Sequence, residues 1–387
     1  MQSPTDESEI RGNMIMCMQG KVSKYISILV FISVVITGFS GFAYGSSYVL
    51  TLSEAKKLAV IHSPEIKKQE AVIDLAEVNK RDSWIAYEQA RANYQNFGIN
   101  SDTLKNAMEN AKKGYDAAGY AYDDANVNLE NLKLKVEYDT ENTYLSLLNI
   151  ENNIKNLEES YRLQKEMVKI ESLKMALGLS TKTLLDQQIQ KSMDLEKQLQ
   201  NLYDSKKTLK WQLNRSIGRN PEDQLELAPV TFEAVKYDNQ QFSEQKAEDT
   251  SLAIQQYNRI IEDKNKEIEQ KRYNASDKVE KLTLEVKQTE LFKNDTEYSI
   301  KLAIKNIHEK LYLAQKTLVD NRGKYDMAKH NYEIQLTQYE LGVISKIAKE
   351  NSLNALHQAQ AAYEKAVYDY YLAARELALA EQGILLK

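Results

Sequence analysis

The chain has 387 residues, 28% of them charged, a net charge of -5 and a single cysteine. One cysteine excludes an internal disulfide framework, and interleaved lysines and acids exclude the basic patch that nucleic-acid binding needs. The four histidines, His62, His308, His330 and His357, match no metal-ligand spacing, and no phosphate loop or nucleophile–base motif is present, so no catalytic, cofactor or metal site is expected and the chain does not read as an enzyme.

Lys21 and Lys24 precede a nearly apolar run over 25–39, and Ala43-Tyr44-Gly45 puts small residues at the -3 and -1 positions of a cleavage point. Residues 1–45 are therefore expected to be a signal peptide, with Ser46 as the mature start and Met14, Met16 and Met18 as later translation starts. Cys17 lies upstream of the apolar run, where a lipid-modified cysteine is not expected. The alternative is an uncleaved anchor, since 25–44 is just long enough to span about 30 Å of hydrocarbon.

The only prolines are at 4, 64, 221 and 229, so long uninterrupted helices are expected from 65 to 220 and from 230 to the end. Thr51-Leu52-Ser53-Glu54 forms a capping box, and Ser63-Pro64 starts a second helix running to about residue 95. The stretch 96–101 is a turn, with Ser101 or Asp102 capping the third helix. From 103 to 176, Val136, Thr140, Thr143, Leu147, Ile150, Ile154, Leu157, Tyr161 and Val168 keep a 4-3 spacing, the seam of a coiled coil or long bundle helix. Ser180 is expected to cap the next helix, over 181–217. Residues 219–248, with Pro221, Pro229 and scattered apolar positions, read as an extended crossover. Helices are then expected over 250–273, 278–341 and 346–382, with a turn at 273–276 capped by Ser276. Acid pairs such as Asp123-Asp124 and Glu158-Glu159 read as solvated helix faces.

Two segments repeat. Met175-Ala176-Leu177-Gly178-Leu179-Ser180-Thr181 opens a helical run that closes at Gly218, and Tyr339-Glu340-Leu341-Gly342-Val343-Ile344-Ser345 opens one that closes at Gly383, glycine spacings of 40 and 41 residues. Ser63-Pro64-Glu65-Ile66 and Ser251-Leu252-Ala253-Ile254 start matching amphipathic runs, and the first hairpin is 24 residues longer than the second. The expected organisation is a first hairpin repeat at 46–218, a crossover linker at 219–248 and a second hairpin repeat at 249–387. In the last helix Ala355, Ala359, Ala362, Ala366 and Ala373 form a small-residue stripe suited to close helix packing, either within the chain or against another subunit.

The aromatic-x-x-Gly-x-x-Ser/Thr turn followed by a long helix, present twice, resembles the TolC-type outer-membrane efflux family, with Met175 replacing the aromatic in the first copy. Thr51 to Ala55 with His62 to Ile66 resembles the start of that family's first repeat, and residues 363–383 resemble its last helix. The resemblance implies an all-α body of long antiparallel hairpins, a homo-oligomer (a trimer) forming a helical duct, and docking to a periplasmic adaptor or inner-membrane pump. Carried over, Leu177, Gly178, Leu179 and Leu341, Gly342, Val343 are the docking turns. The chain departs from the family pattern in two ways. Neither 82–125 nor 274–298 carries the alternating apolar pattern of membrane strands. The acid that many relatives place six residues after the turn glycine is Leu184 and Ala348 here, with Asp186 and Glu350 two residues later. The function so implied is an efflux or export component of the cell envelope without a membrane β-barrel, whose only membrane contact is the N-terminal segment if that is retained. The alternative is a structural or adaptor coiled coil of the envelope that no longer conducts.

Overall fold

Helix-forming sequence between sparse breakers produces the long helices expected from it and one short helix, over 240–250, that was not. The computed structural model describes residues 49–97, 101–232, 239–271 and 276–386. The expected signal segment, part of the turn at 96–101 and most of the turn at 273–276 lie outside these residues. A capping box at Thr51 starts α1 (Leu52–His62), and its Oγ1 accepts from the Glu54 amide at 3.3 Å. α2 is Pro64–Phe97 and α3 is Asp102–Ala176, with Ser101 as the N-cap of α3. α4 is Lys182–Ser216, α5 Gln240–Thr250, α6 Leu252–Lys271, α7 Ser276–Glu340 and α8 Lys346–Ala380. α3 has 75 residues, a rod of about 110 Å.

Antiparallel pairing follows from the short turns. α2 and α4, of 34 and 35 residues, pack end to end along α3, while α6 and α8, of 20 and 35 residues, pack along α7. The two halves meet where α3 packs on α8. Helical columns therefore come in the order α2/α4, α3, α6/α8, α7, with α3 inside and α7 at an edge. Every position of the 4-3 seam from Val136 to Val168 is buried or half-buried.

Two apolar clusters sit at the waist, where the short helices break into the long ones. Ala55 and Ala59 of α1 pack with Tyr144, Leu145, Leu148, Leu213 and Tyr368 in one. Ala247 of α5 packs with Ile254, Ile304, Leu311, Ala373 and Leu377 in the other. Two-residue strands β1 (Val49–Leu50) and β2 (Glu226–Leu227) pair in parallel at the first cluster, and they are the only strands among the described residues. The crossover is pinned there by Phe232, stacked 3.8 Å from the Tyr371 ring.

The Tyr144 hydroxyl donates to the Leu50 carbonyl or the Ala228 carbonyl, each at 2.8 Å, and so bridges β1 to the chain just after β2. Tyr144→Phe should cost about 1–2 kcal/mol, at the low end for a buried polar loss, because the Leu50 carbonyl keeps the Ala228 amide at 2.9 Å. A chemical-denaturation midpoint indistinguishable from wild type would refute that role.

The crossover expected over 219–248 is corrected at its end: from Gln240 it is helix. α5 buries Ser243 and Ala247, small side chains that let it approach α7 closely, so little apolar periodicity betrays it in sequence. Likewise Thr181, not Ser180, is the N-cap of α4, accepting from the Leu184 amide at 3.3 Å. Ser180 instead donates to Glu171.

Candidate docking turns and the seam between the halves

The two repeated turns have one backbone geometry. Gly178 and Gly342 both have φ of +73°, a left-handed conformation that glycine adopts without a Cβ clash. The Gly178 amide donates to the Met175 carbonyl at 3.0 Å and the Leu179 amide to the Lys174 carbonyl at 2.8 Å. The Gly342 amide donates to Tyr339 at 2.9 Å and the Val343 amide to Gln338 at 2.8 Å. Both are Schellman closures, in which the last carbonyls of a helix are satisfied by the chain turning back on itself. Ser345 caps α8 as Thr181 caps α4, accepting from the Ala348 amide at 3.2 Å.

With the backbone satisfied internally, the side chains at the turns point outward. Leu177 is 65%, Leu179 75%, Leu341 74% and Val343 70% exposed. Leu173 and Leu184 are exposed beside the first turn, so the apolar tip is wider than the turn residues named from sequence. The signal for them was their helical spacing, four residues before Leu177 and one turn into α4. A Cβ placed on either turn glycine would meet nothing within 4 Å, so the glycines are needed for conformation and not for close packing.

The alanine stripe divides. Ala366 and Ala373 are buried within the chain, the latter in the second waist cluster, whereas Ala355 and Ala362 are exposed and Ala359 is half-buried. The stripe therefore winds from core to surface along α8.

Between waist and tips, the α3–α8 seam is polar. Asn152 Nδ2 donates to Glu364 at 2.7 Å, Asn156 Nδ2 to the His357 carbonyl at 3.2 Å, and Asn354 Nδ2 to Ser160 Oγ at 2.9 Å. Arg162 of α3 sits among Glu159, Glu166 and Glu350, and its bond to Glu350 of α8 is 2.9 Å. Glu350 is thus an ion-paired residue of the seam, while Asp186 is exposed. The Arg162 hydrogen bond holds the Glu350 carboxyl below its ordinary value. A lowered carboxylate contributes stability above its ordinary value near 4.5 and loses it as pH falls through the lowered one, so this contact should survive mild acid.

At the waist the polar link is deeper. Glu141 of α3 is fully buried and receives Lys56 Nζ of α1 at 2.7 Å, Tyr371 Oη at 3.1 Å and Arg375 Nε at 3.2 Å, the last two from α8. Nothing in the sequence marked it, since its partners lie far away in the chain. Toward the far end, Asp124 pairs with Arg259 Nη1 at 2.6 Å and with Gln256 Nε2 at 2.9 Å. The expectation that Asp123-Asp124 is only a solvated face is corrected at Asp124. Among the described residues no group of acids, histidines and cysteines could hold a metal ion, and no helix is long and apolar enough to cross a membrane.

No family model matches the sequence, and no characterised protein sequence matches it. The fold does match solved structures. A membrane protein from Pseudomonas aeruginosa superposes with a TM-score of 0.62 at 9% identity, covering 86% of this chain and 90% of its own. The outer membrane protein VceC from Vibrio cholerae gives 0.57 at 11% identity, covering 86% of this chain and 96% of its own. The CmeC outer membrane channel of Campylobacter jejuni gives 0.54 at 14% identity, covering 86% of each chain. In its described residues the chain has the long helical hairpins of the TolC-type outer-membrane channel fold. Where the sequence departs from the barrel-bearing pattern, the described residues of 82–125 other than the N-cap Ser101, and those of 276–298, are helix.

Proposed function

We propose that the protein is a TolC-like efflux or export component of the cell envelope. Copies of it pack side by side into a helical duct, and the tips carrying Leu177-Gly178-Leu179 and Leu341-Gly342-Val343 dock a periplasmic adaptor or inner-membrane pump. The observation that carries this reading is where the exposed apolar side chains lie. Away from the tips most of them line the two edge columns: Val72, Leu75 and Trp84 on α2, Met193 and Trp211 on α4, and Leu284, Leu291, Tyr298, Tyr312, Val319 and Met327 on α7, against Ile260 alone on α6. Inner α3 exposes only Val127 and Leu173, and α8 exposes no large apolar side chain. A long apolar stripe on each edge of a layer fits head-to-tail association with further copies, which closes into a ring when the rotation allows. Conduction through that ring would be passive and would need no bond chemistry. The division into a first hairpin repeat at 46–218, a crossover and a second repeat, with 1–45 as an export signal, belongs to the same proposal.

The test is the mass of the purified protein by light scattering over a wide concentration range. A concentration-independent trimer is expected, and a strict monomer would overturn the duct in favour of an envelope adaptor. Leu341→Asp with Val343→Asp should leave that mass and the melting temperature unchanged while abolishing export, because these side chains are already in water. Unimpaired export in that variant would remove the tips from the docking role.

A further inference from the structure

We infer that the seam between the two halves, on the side of the waist away from the tips, is an ionic clasp. There α3 and α6 are joined by long polar side chains across a gap, and they part while the tip side stays closed. The clasp lies within one chain; its consequence for export rests on the proposed duct.

Burial along α3 is one-sided. From Thr140 toward the tip it buries Tyr144, Leu145, Leu148, Ile154 and Leu163 among others. From Asp102 to Asp139 it buries Ala125 alone. α6, which runs beside that stretch, buries Ile254 alone, and Ile254 belongs to the second waist cluster. Both apolar clusters therefore stop at the waist. Helices that pack ridge into groove bring their axes within about 8–10 Å and fill the space between them. Here a notch of about 530 Å³ opens just past the second waist instead. Its walls are Asn128 and Asn131 of α3 and Leu252 and Gln256 of α6, with buried Ile300 of α7 behind them.

What crosses the gap is polar and long. Asp124 of α3 receives Arg259 Nη1 at 2.6 Å and Gln256 Nε2 at 2.9 Å, and the Arg259 guanidinium lies 5.2 Å from the centre of the Tyr120 ring. Further out, Lys113 Nζ reaches Glu267 at 2.8 Å, and Lys271 pairs with the same carboxylate. Lys113, Tyr120, Asp124 and Asn128 are spaced seven, four and four residues apart, which puts them on one face of α3. The links thus keep a single antiparallel register, 113 with 267 and 124 with 256 and 259. The Lys113 side chain is 57% and the Arg259 side chain 26% exposed. Ion pairs this open to water are individually weak and are screened by salt, unlike the apolar burial at the waist. In the proposed duct, parting α3 from α6 widens the end remote from the docking tips and leaves the Arg162–Glu350 contact in place.

The test is the α3–α6 separation by pulsed electron–electron resonance. Nitroxides go on the full chain carrying Cys17→Ser, Asn110→Cys and Gln270→Cys, both labelled positions being exposed, and the labelled chain is diluted with unlabelled chain so that distances within one copy are read. Asp124→Asn with Glu267→Gln, or high salt, should raise the long-distance population several-fold. Labels at Lys169→Cys and Asn351→Cys, across the tip-side seam, should keep their wild-type distances in the same variant, which also shows that it folds. A 110/270 distribution that neither the double variant nor salt changes overturns the clasp. Equal broadening of the 169/351 pair overturns it too, since the whole seam would then be loosening. Joining Lys113→Cys to Glu267→Cys with a short thiol–thiol linker should lower export several-fold, and unimpaired export with linkage complete would overturn the role in conduction. A monomer by light scattering would overturn the duct, and the distances, taken within one chain, would still decide the clasp.

Discussion

Glu141→Ala is expected to destabilise the protein by about 3 kcal/mol, far more than removal of any acid on a solvated helix face. The carboxylate is fully buried, and it is the common acceptor for Lys56 on α1 and for Tyr371 and Arg375 on α8. Its removal leaves two cations and a hydroxyl facing an emptied site between the halves. The cost sits at the lower end of the usual range for breaking a buried pair, because the Lys56 and Arg375 side chains keep 25% and 27% of their surface and can rotate toward water. Glu141→Gln retains the size and an accepting oxygen but turns an amide N–H₂ toward the cations, so it should fall between alanine and wild type. Urea denaturation followed by circular dichroism measures all three. An alanine variant within about 0.5 kcal/mol of wild type, the scale of an ordinary surface change, would show that the cations are fully compensated by solvent and that the cluster does not hold the halves together.

That cluster also marks the boundary of what the sequence makes legible. Helix starts were readable because capping is local: Thr51 finds Glu54 three residues away, and Ser63 finds the Ile66 amide. The tip turns were readable for the same reason, since a Schellman closure is set by a glycine and the carbonyls just before it. The 4-3 seam of α3 was readable because it faces the helices joined to α3 by short turns. Contacts between the halves were not. Glu141 in Val136-Glu137-Tyr138-Asp139-Thr140-Glu141 looks like one more acid of a charged helix, and its burial depends on residues in α1 and α8. Leu148 and Tyr312 lie the same distance before their tip glycines, yet Leu148 is buried in the first waist cluster with Tyr368 of α8 and Tyr312 is exposed. α5 escaped because it docks through Ser243 and Ala247, and a serine–alanine face carries no hydrophobic period.

Gly383→Ala should be the most damaging of the four closing-glycine substitutions, although all four glycines have nearly the same conformation, with φ between 73° and 79°. An alanine at Gly178 or Gly342 meets open space, so only the left-handed conformation opposes it, at about 1–2 kcal/mol. At Gly218 a Cβ would lie 2.4 Å from the His62 ring, but that side chain is exposed and can swing aside. At Gly383 a Cβ would lie 2.8 Å from the Thr250 carbonyl oxygen and 3.1 Å from the Ser251 Cα, and this backbone is fixed by the break between α5 and α6. Overpacking against it adds about 1–3 kcal/mol to the conformational cost. The same corner holds α5 in place: Thr250 Oγ1 donates to the Lys246 carbonyl at 2.8 Å or the Glu381 carbonyl at 3.0 Å, and Ser243 Oγ and Lys246 Nζ reach the Glu381 carboxylate at 2.6 and 3.2 Å. Forcing the end of α8 away from Thr250 pulls on all three bonds at once. Hydrogen exchange in Gly383→Ala should therefore rise first in α5, with the tip turns protected as in wild type, whereas Gly342→Ala should show the reverse. Equal midpoints for the two variants would mean that the backbone at 250–251 yields freely, and that the second waist is held by its apolar cluster and not by the fit of α8 into the α5–α6 break.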